Sequence, residues 1–163
     1  MAEEKIEYNI FSAEHPVDLL EQIIAEGATQ TSFEDVYRIS DDGLCHRDTF
    51  LCSALMNSQR ELNNRDAYLA QLQQEYDVGD WSTSCWDDLE KAQKILALKE
   101  KFNDSPVLLK GSIVEDTGYS ILSTERNSIK SLPARQRKKK KHHIDWWIFE
   151  GKDVSVFFSK LEV

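Results

Sequence analysis

At 163 residues, with 40% hydrophobic and 10% aromatic side chains, the chain carries enough apolar material for a single packed domain. Its longest apolar run is a few residues, far short of the roughly 20 that span a bilayer, and the acidic start "MAEEKIEYNIF" lacks the apolar region of a secretory signal. A soluble protein with no membrane partner is expected, cytoplasmic or, in a eukaryote, nuclear. The net charge of −9 argues against nucleic-acid binding by the whole surface, yet it is unevenly spread. Residues 1–90 hold 20 acidic and 5 basic side chains, a balance of −15, whereas residues 91–163 hold 9 and 15, a balance of +6.

In chain order, "HPVDLLEQIIAEG" reads as a helix with Val17, Leu20 and Ile24 on one stripe and Leu19 and Ile23 widening it. Pro16 marks its entry and Gly27 its exit. "SFEDVYRIS" has capping-box spacing from Ser32 to Asp35 and predicts a short helix with Phe33, Val36 and Tyr37 on its apolar face. After the break "SDDGLC", residues 47–76 predict one long helix or two nearly collinear ones. Leu55, Leu62, Leu69 and Tyr76 recur at heptad spacing there, and "NNRD" is a candidate interruption. Ser84 predicts an N-cap for the next helix, with Asp87 at the third helical position and Trp86, Leu89, Ile95, Leu96 and Phe102 as the buried stripe.

Beyond "NDSP" the hydrophobic period drops to two. "VLLKGSIV" and "GYSILST" predict two strands joined as a hairpin through "EDTG". The stretch 125–141 has no clear period and predicts a long basic loop. "HIDWWIFEGKDVSVFF" predicts a second hairpin about a Gly151-Lys152 turn, pairing Trp147 with Val156 and Trp146 with Phe157. The expected fold class is α+β, a helical N-terminal half packed on a C-terminal antiparallel sheet of about four strands, in one domain covering 1–163.

Motifs for catalysis are absent. The six glycines form neither a Gly-x-Ser-x-Gly elbow nor a phosphate-cradling loop. An odd set of three cysteines, Cys45, Cys52 and Cys85, argues against a disulfide framework. Of the three, Cys85, near a predicted helix N-terminus, is the candidate for a reactive thiol, but the first expectation is a helix residue with no chemical role. Asp41-Asp42 and Asp87-Asp88 read as a turn and a helix cap. His143 and Asp145 would share one face of a strand, in reach of a common metal, but no other ligand has matching spacing and neighbouring lysines repel a cation. No catalytic residue, metal or cofactor is therefore expected.

The remaining candidate is the run Arg135, Arg137, Lys138, Lys139, Lys140 and Lys141, with Trp146 and Trp147 as possible aromatic contacts. Cations neutralise phosphates and aromatics stack bases. The run could equally dock on an acidic protein surface or serve as a nuclear-localisation signal. The first expectation is a non-catalytic binding protein acting by protein–protein contact, as a regulator, adaptor or inhibitor. The alternatives are a nucleic-acid-binding module using residues 135–141 and a small enzyme of unknown reaction. Oligomeric state has no signal in these residues.

Overall fold

The structure, a computed structural model, describes residues 15–58 and 64–161. A mixed α+β fold is correct, but the sheet is larger and differently built than the sequence predicts. Six antiparallel strands run in the order β4-β5-β2-β1-β3-β6. They are β1 (Phe33–Ser40), β2 (Thr83–Trp86), β3 (Val107–Ile113), β4 (Gly118–Leu122), β5 (His143–Ile148) and β6 (Phe158–Lys160). The longer helices are α1 (Leu19–Ala25), α2 (Ser53–Ser58), α3 (Arg65–Gln74) and α4 (Leu89–Lys99). Two short helices, α5 (Asn127–Lys130) and α6 (Ala134–Lys138), precede β5. Among the described residues no helix is long and apolar enough to cross a membrane.

Two strands come from the half expected to be helical. "FEDVYRIS" is β1, a central strand with Val36 to Ser40 buried in succession. Such a strand loses its alternating pattern because both faces are covered. That is why Ser32 and Asp35 imitated a helix start. Residues 83–86 form β2 for the same reason, and the helix cap moves to Asp88, whose carboxylate accepts from the Lys91 amide at 2.9 Å. Ser84 is thus a strand residue, and Phe102 is 86% exposed rather than part of the buried stripe. Ala92 is buried there instead, with Ile95 and Leu96 packing alongside.

α1 ends as expected at Gly27, whose φ of 102° suits only glycine. Its buried side is Leu19 and Ile23, while Val17 and Ile24 face outward. Residues 47–76 are not one helix. Arg47–Phe50 form a 3-10 turn, the backbone leaves helical geometry at Leu51, and α2 and α3 follow. Asn64 caps α3, so "NNRD" does interrupt the helix; Leu62 lies outside the described residues. Leu69 is buried, with Leu55 and Tyr76 packed against the same cluster.

β3 and β4 lie where predicted but do not pair with each other. β3 joins β1 and β6, and β4 crosses to the far edge beside β5. Gly118 permits that crossing, since a Cβ there would stand 2.0 Å from the Trp147 carbonyl oxygen. The C-terminal hairpin does not form either. The chain turns at Phe149–Lys152, makes a 3-10 turn over Val154–Phe157, and delivers β6 to β3. β5 is instead enclosed between β4 and β2, each of which satisfies one edge of its backbone. Its alternate side chains enter different cores. Trp147 joins Leu19, Ile23 and Trp81 beneath α1, and Trp146 joins Val36, Phe50, Ile144 and Phe158 on the opposite face.

Candidate functional site

The segment 125–141 is built of helical turns, not a structureless loop. It divides into an anchored half and a free half. The anchor is Arg126, 1% exposed, whose guanidinium reaches three carboxylates: Asp77 at 2.8 Å, and Glu26 and Asp145 at 3.2 Å each. These come from the end of α1, the turn before β2, and β5. One side chain therefore ties together segments far apart in the sequence.

Asp145 is the buried end of this network. Its two oxygens accept from the Ser82 and Ser123 hydroxyls, each at 2.6 Å, besides Arg126. Burial favours the neutral acid, but His143, Arg126 and the two hydroxyls outweigh it and hold the carboxyl below the usual carboxylate range. Ser123 spends its one proton on Asp145, so the His143 Nδ1, 2.6 Å away, must be the donor to the Ser123 oxygen. Burial lowers the His143 pKa, with Asp145 opposing. His143 and Asp145 do share a face, as the sequence predicts. Serine, histidine and aspartate are nevertheless in the wrong order for nucleophilic catalysis, since Ser123 bridges the other two and is fully buried. The cluster is a clamp that holds the start of the basic segment on the sheet.

The free half carries the charge. Arg135, Arg137, Lys138, Lys139, Lys140 and Lys141 are all exposed. Among the described residues none of the six makes an ion pair; Arg137 only donates its Nε to the Leu132 carbonyl at 3.1 Å. The segment is fixed again at His142, a non-glycine residue at φ 68°, by a 2.8 Å contact of its Nδ1 with the Asp87 carboxylate and by the Asp87 amide donating to its carbonyl at 3.0 Å. The result is an exposed cationic arch on two fixed feet. Trp146 and Trp147 are fully buried and offer no face to a ligand, which corrects the expectation of an aromatic platform.

A second feature lies where β1 and β2 part. Their only paired residues are Tyr37 and Trp86, and the Arg38 guanidinium fills the gap beyond. It donates to the Ser84 carbonyl at 2.8 Å, to the Thr49 carbonyl at 2.9 and 3.2 Å, and to the Met56 sulfur at 3.1 Å. Burial lowers its pKa, with Cys85, Asp41 and Cys52 opposing, and Asp41 lines the same cleft. Arg38 lines a cleft of about 230 Å³ with Ser53, Asn57, Trp86 and Lys99, the last also 3.6 Å from Asp41.

Cys85, the sequence's candidate for a reactive thiol, is not at a helix N-terminus. It is buried in β2, and burial pushes its pKa up to about 12. Sequence reasoning also missed Arg126, Ser82, Ser123 and Arg38. A single arginine ahead of a basic run and scattered serines carry no spacing signal. Comparison with known proteins adds no assignment: no protein-family model, curated protein or solved structure matches this chain.

Proposed function

We propose that this chain is a binding protein that seats an acidic segment of a protein partner on the cationic arch of residues 134–141, as a regulator, adaptor or inhibitor does. The observation that carries this reading is the arch itself: six cations on two fixed feet, none with an ion pair of its own among the described residues. An arch held in place loses less conformational freedom on binding than a floppy loop does. Opposite charge on the partner would speed encounter and set orientation. The burial of both tryptophans takes those two rings out of the nucleic-acid alternative, which then draws its support from phosphate contact by the arch.

The test is capture with the full chain after nuclease treatment, beside a variant carrying Glu at Lys138, Lys139, Lys140 and Lys141. A protein recovered by the parent and lost by the variant is the expected result. Binding that disappears with nuclease, and that an RNA or DNA oligomer restores with steep salt dependence, would instead establish the nucleic-acid reading.

Arg38 favours a second reading, a small anion held in the cleft between β1 and β2. The guanidinium bonds only carbonyls and a sulfur, and the cleft's two cations, Arg38 and Lys99, share the one lining carboxylate, Asp41. Phosphate should then raise the melting temperature beyond what chloride does at equal ionic strength. Lys99→Gln should shrink that rise. Equal effects of the two salts exclude the reading.

A further inference from the structure

A cavity of about 140 Å³ opens beside the turn that leaves β5, facing the segment that runs from Arg47 to Leu55. Its walls include Phe50, Leu51, Leu55, Trp81, Ile148 and Phe149. The polar groups within are already satisfied. The Thr83 hydroxyl donates to the Phe50 carbonyl at 2.7 Å, and the Trp81 indole to the Leu72 carbonyl at 3.1 Å. An apolar space of roughly this size stays dry or accepts one ring or one branched chain. The mouth is of opposite character. Arg47, Lys152 and Glu150 are all exposed there, and among the described residues none of them makes an ion pair.

We infer that this cavity binds a free apolar α-amino acid, with its side chain inward, its carboxylate toward Arg47 and Lys152, and its ammonium toward Glu150. The rim selects this class because it carries both signs. A simple carboxylic acid would leave Glu150 beside a like charge, and a simple amine would offer nothing to Lys152 or to Arg47, whose described coulombic neighbour is Asp153. A segment within a longer peptide has neither charge to offer. Ion pairs at an exposed rim are weak, so affinity on the order of millimolar is expected.

The probe is L-leucine, titrated into the 15N-labelled full chain beside isovalerate, isopentylamine and glycine. Leucine should shift the amide signals of Leu51, Phe149, Gly151 and Val154 saturably, while isovalerate and isopentylamine bind more weakly, by up to about fivefold, because each loses rim contacts. Glycine, with no side chain to bury, should leave these signals in place. Glu150→Lys, an exposed change that leaves the core intact, should weaken leucine about fivefold and improve isovalerate. Three results overturn the inference: no saturable shift with leucine, equal binding of leucine and isovalerate, or undiminished leucine binding by Glu150→Lys.

Discussion

Asp145→Ala should destabilise the protein by about 3–5 kcal/mol, read as a lower urea midpoint at unchanged slope, because it leaves two buried hydroxyls without an acceptor and takes one of three carboxylates from a buried cation. Arg126 is 1% exposed and keeps only Asp77 and Glu26 once Asp145 is gone, and the Ser82 and Ser123 hydroxyls lose their acceptor. Asp145→Asn should cost less, since an amide oxygen still accepts one hydroxyl. The pH profile separates charge from shape. Asp145 has a lowered folded pKa, so its contribution is full above the ordinary carboxylate value of about 3.9 and is lost as pH falls through the lower folded value. His143 also has a lowered folded pKa, so the unfolded chain takes up its proton first. Stability should therefore begin to decline below about pH 6.5 and fall further in the acid limb. In Asp145→Asn the acid limb should flatten. An acid limb of the same depth in parent and variant would remove Asp145 from the account.

The two tryptophans of β5 should respond unequally to one substitution. Both are fully buried, so either one changed to alanine should cost about 3–5 kcal/mol. Phenylalanine distinguishes them. The Trp147 indole donates to the Val78 carbonyl at 3.0 Å, whereas the buried Trp146 indole nitrogen has no hydrogen-bond partner among the described residues. Trp147→Phe therefore leaves a buried carbonyl unsatisfied, at about 1–3 kcal/mol beyond the lost volume. Trp146→Phe discards a polar atom that gained nothing from the fold. Chemical denaturation should rank Trp147→Phe as the more damaging change; the reverse order would mean that packing around Trp146 outweighs the hydrogen bond of Trp147.

The cationic arch shows how much of a candidate site a sequence can carry. Its six charges were plain in the residues, as was the division of the last third of the chain into a basic part and an aromatic part. The aromatic part is core, with Trp146 and Trp147 fully buried, but the hairpin its turn predicts does not form. Gly151 does take a left-handed turn, at φ 86°, yet the chain beyond it pairs with β3 rather than back on β5. A turn residue reports local geometry and says nothing about which strand receives the next segment. The clamp beneath the arch was invisible for a related reason, since Glu26, Asp77 and Asp145 meet Arg126, and Ser82 and Ser123 meet Asp145, only after the sheet is assembled.

What the sequence by itself determined are the features with a local cause: the exit of α1 at Gly27, the strands β3, β4 and β5, and the interruption before α3. Each follows from the dihedral freedom of single residues or from a hydrophobic period readable within one segment. Only the tertiary structure decided that β1 and β2 are strands, that the sheet has six members in the order β4-β5-β2-β1-β3-β6, and that Arg126 rather than a loop holds the basic segment. A strand buried on both faces has no pattern to read, and pairing and ion clustering are chosen by neighbours distant in the chain.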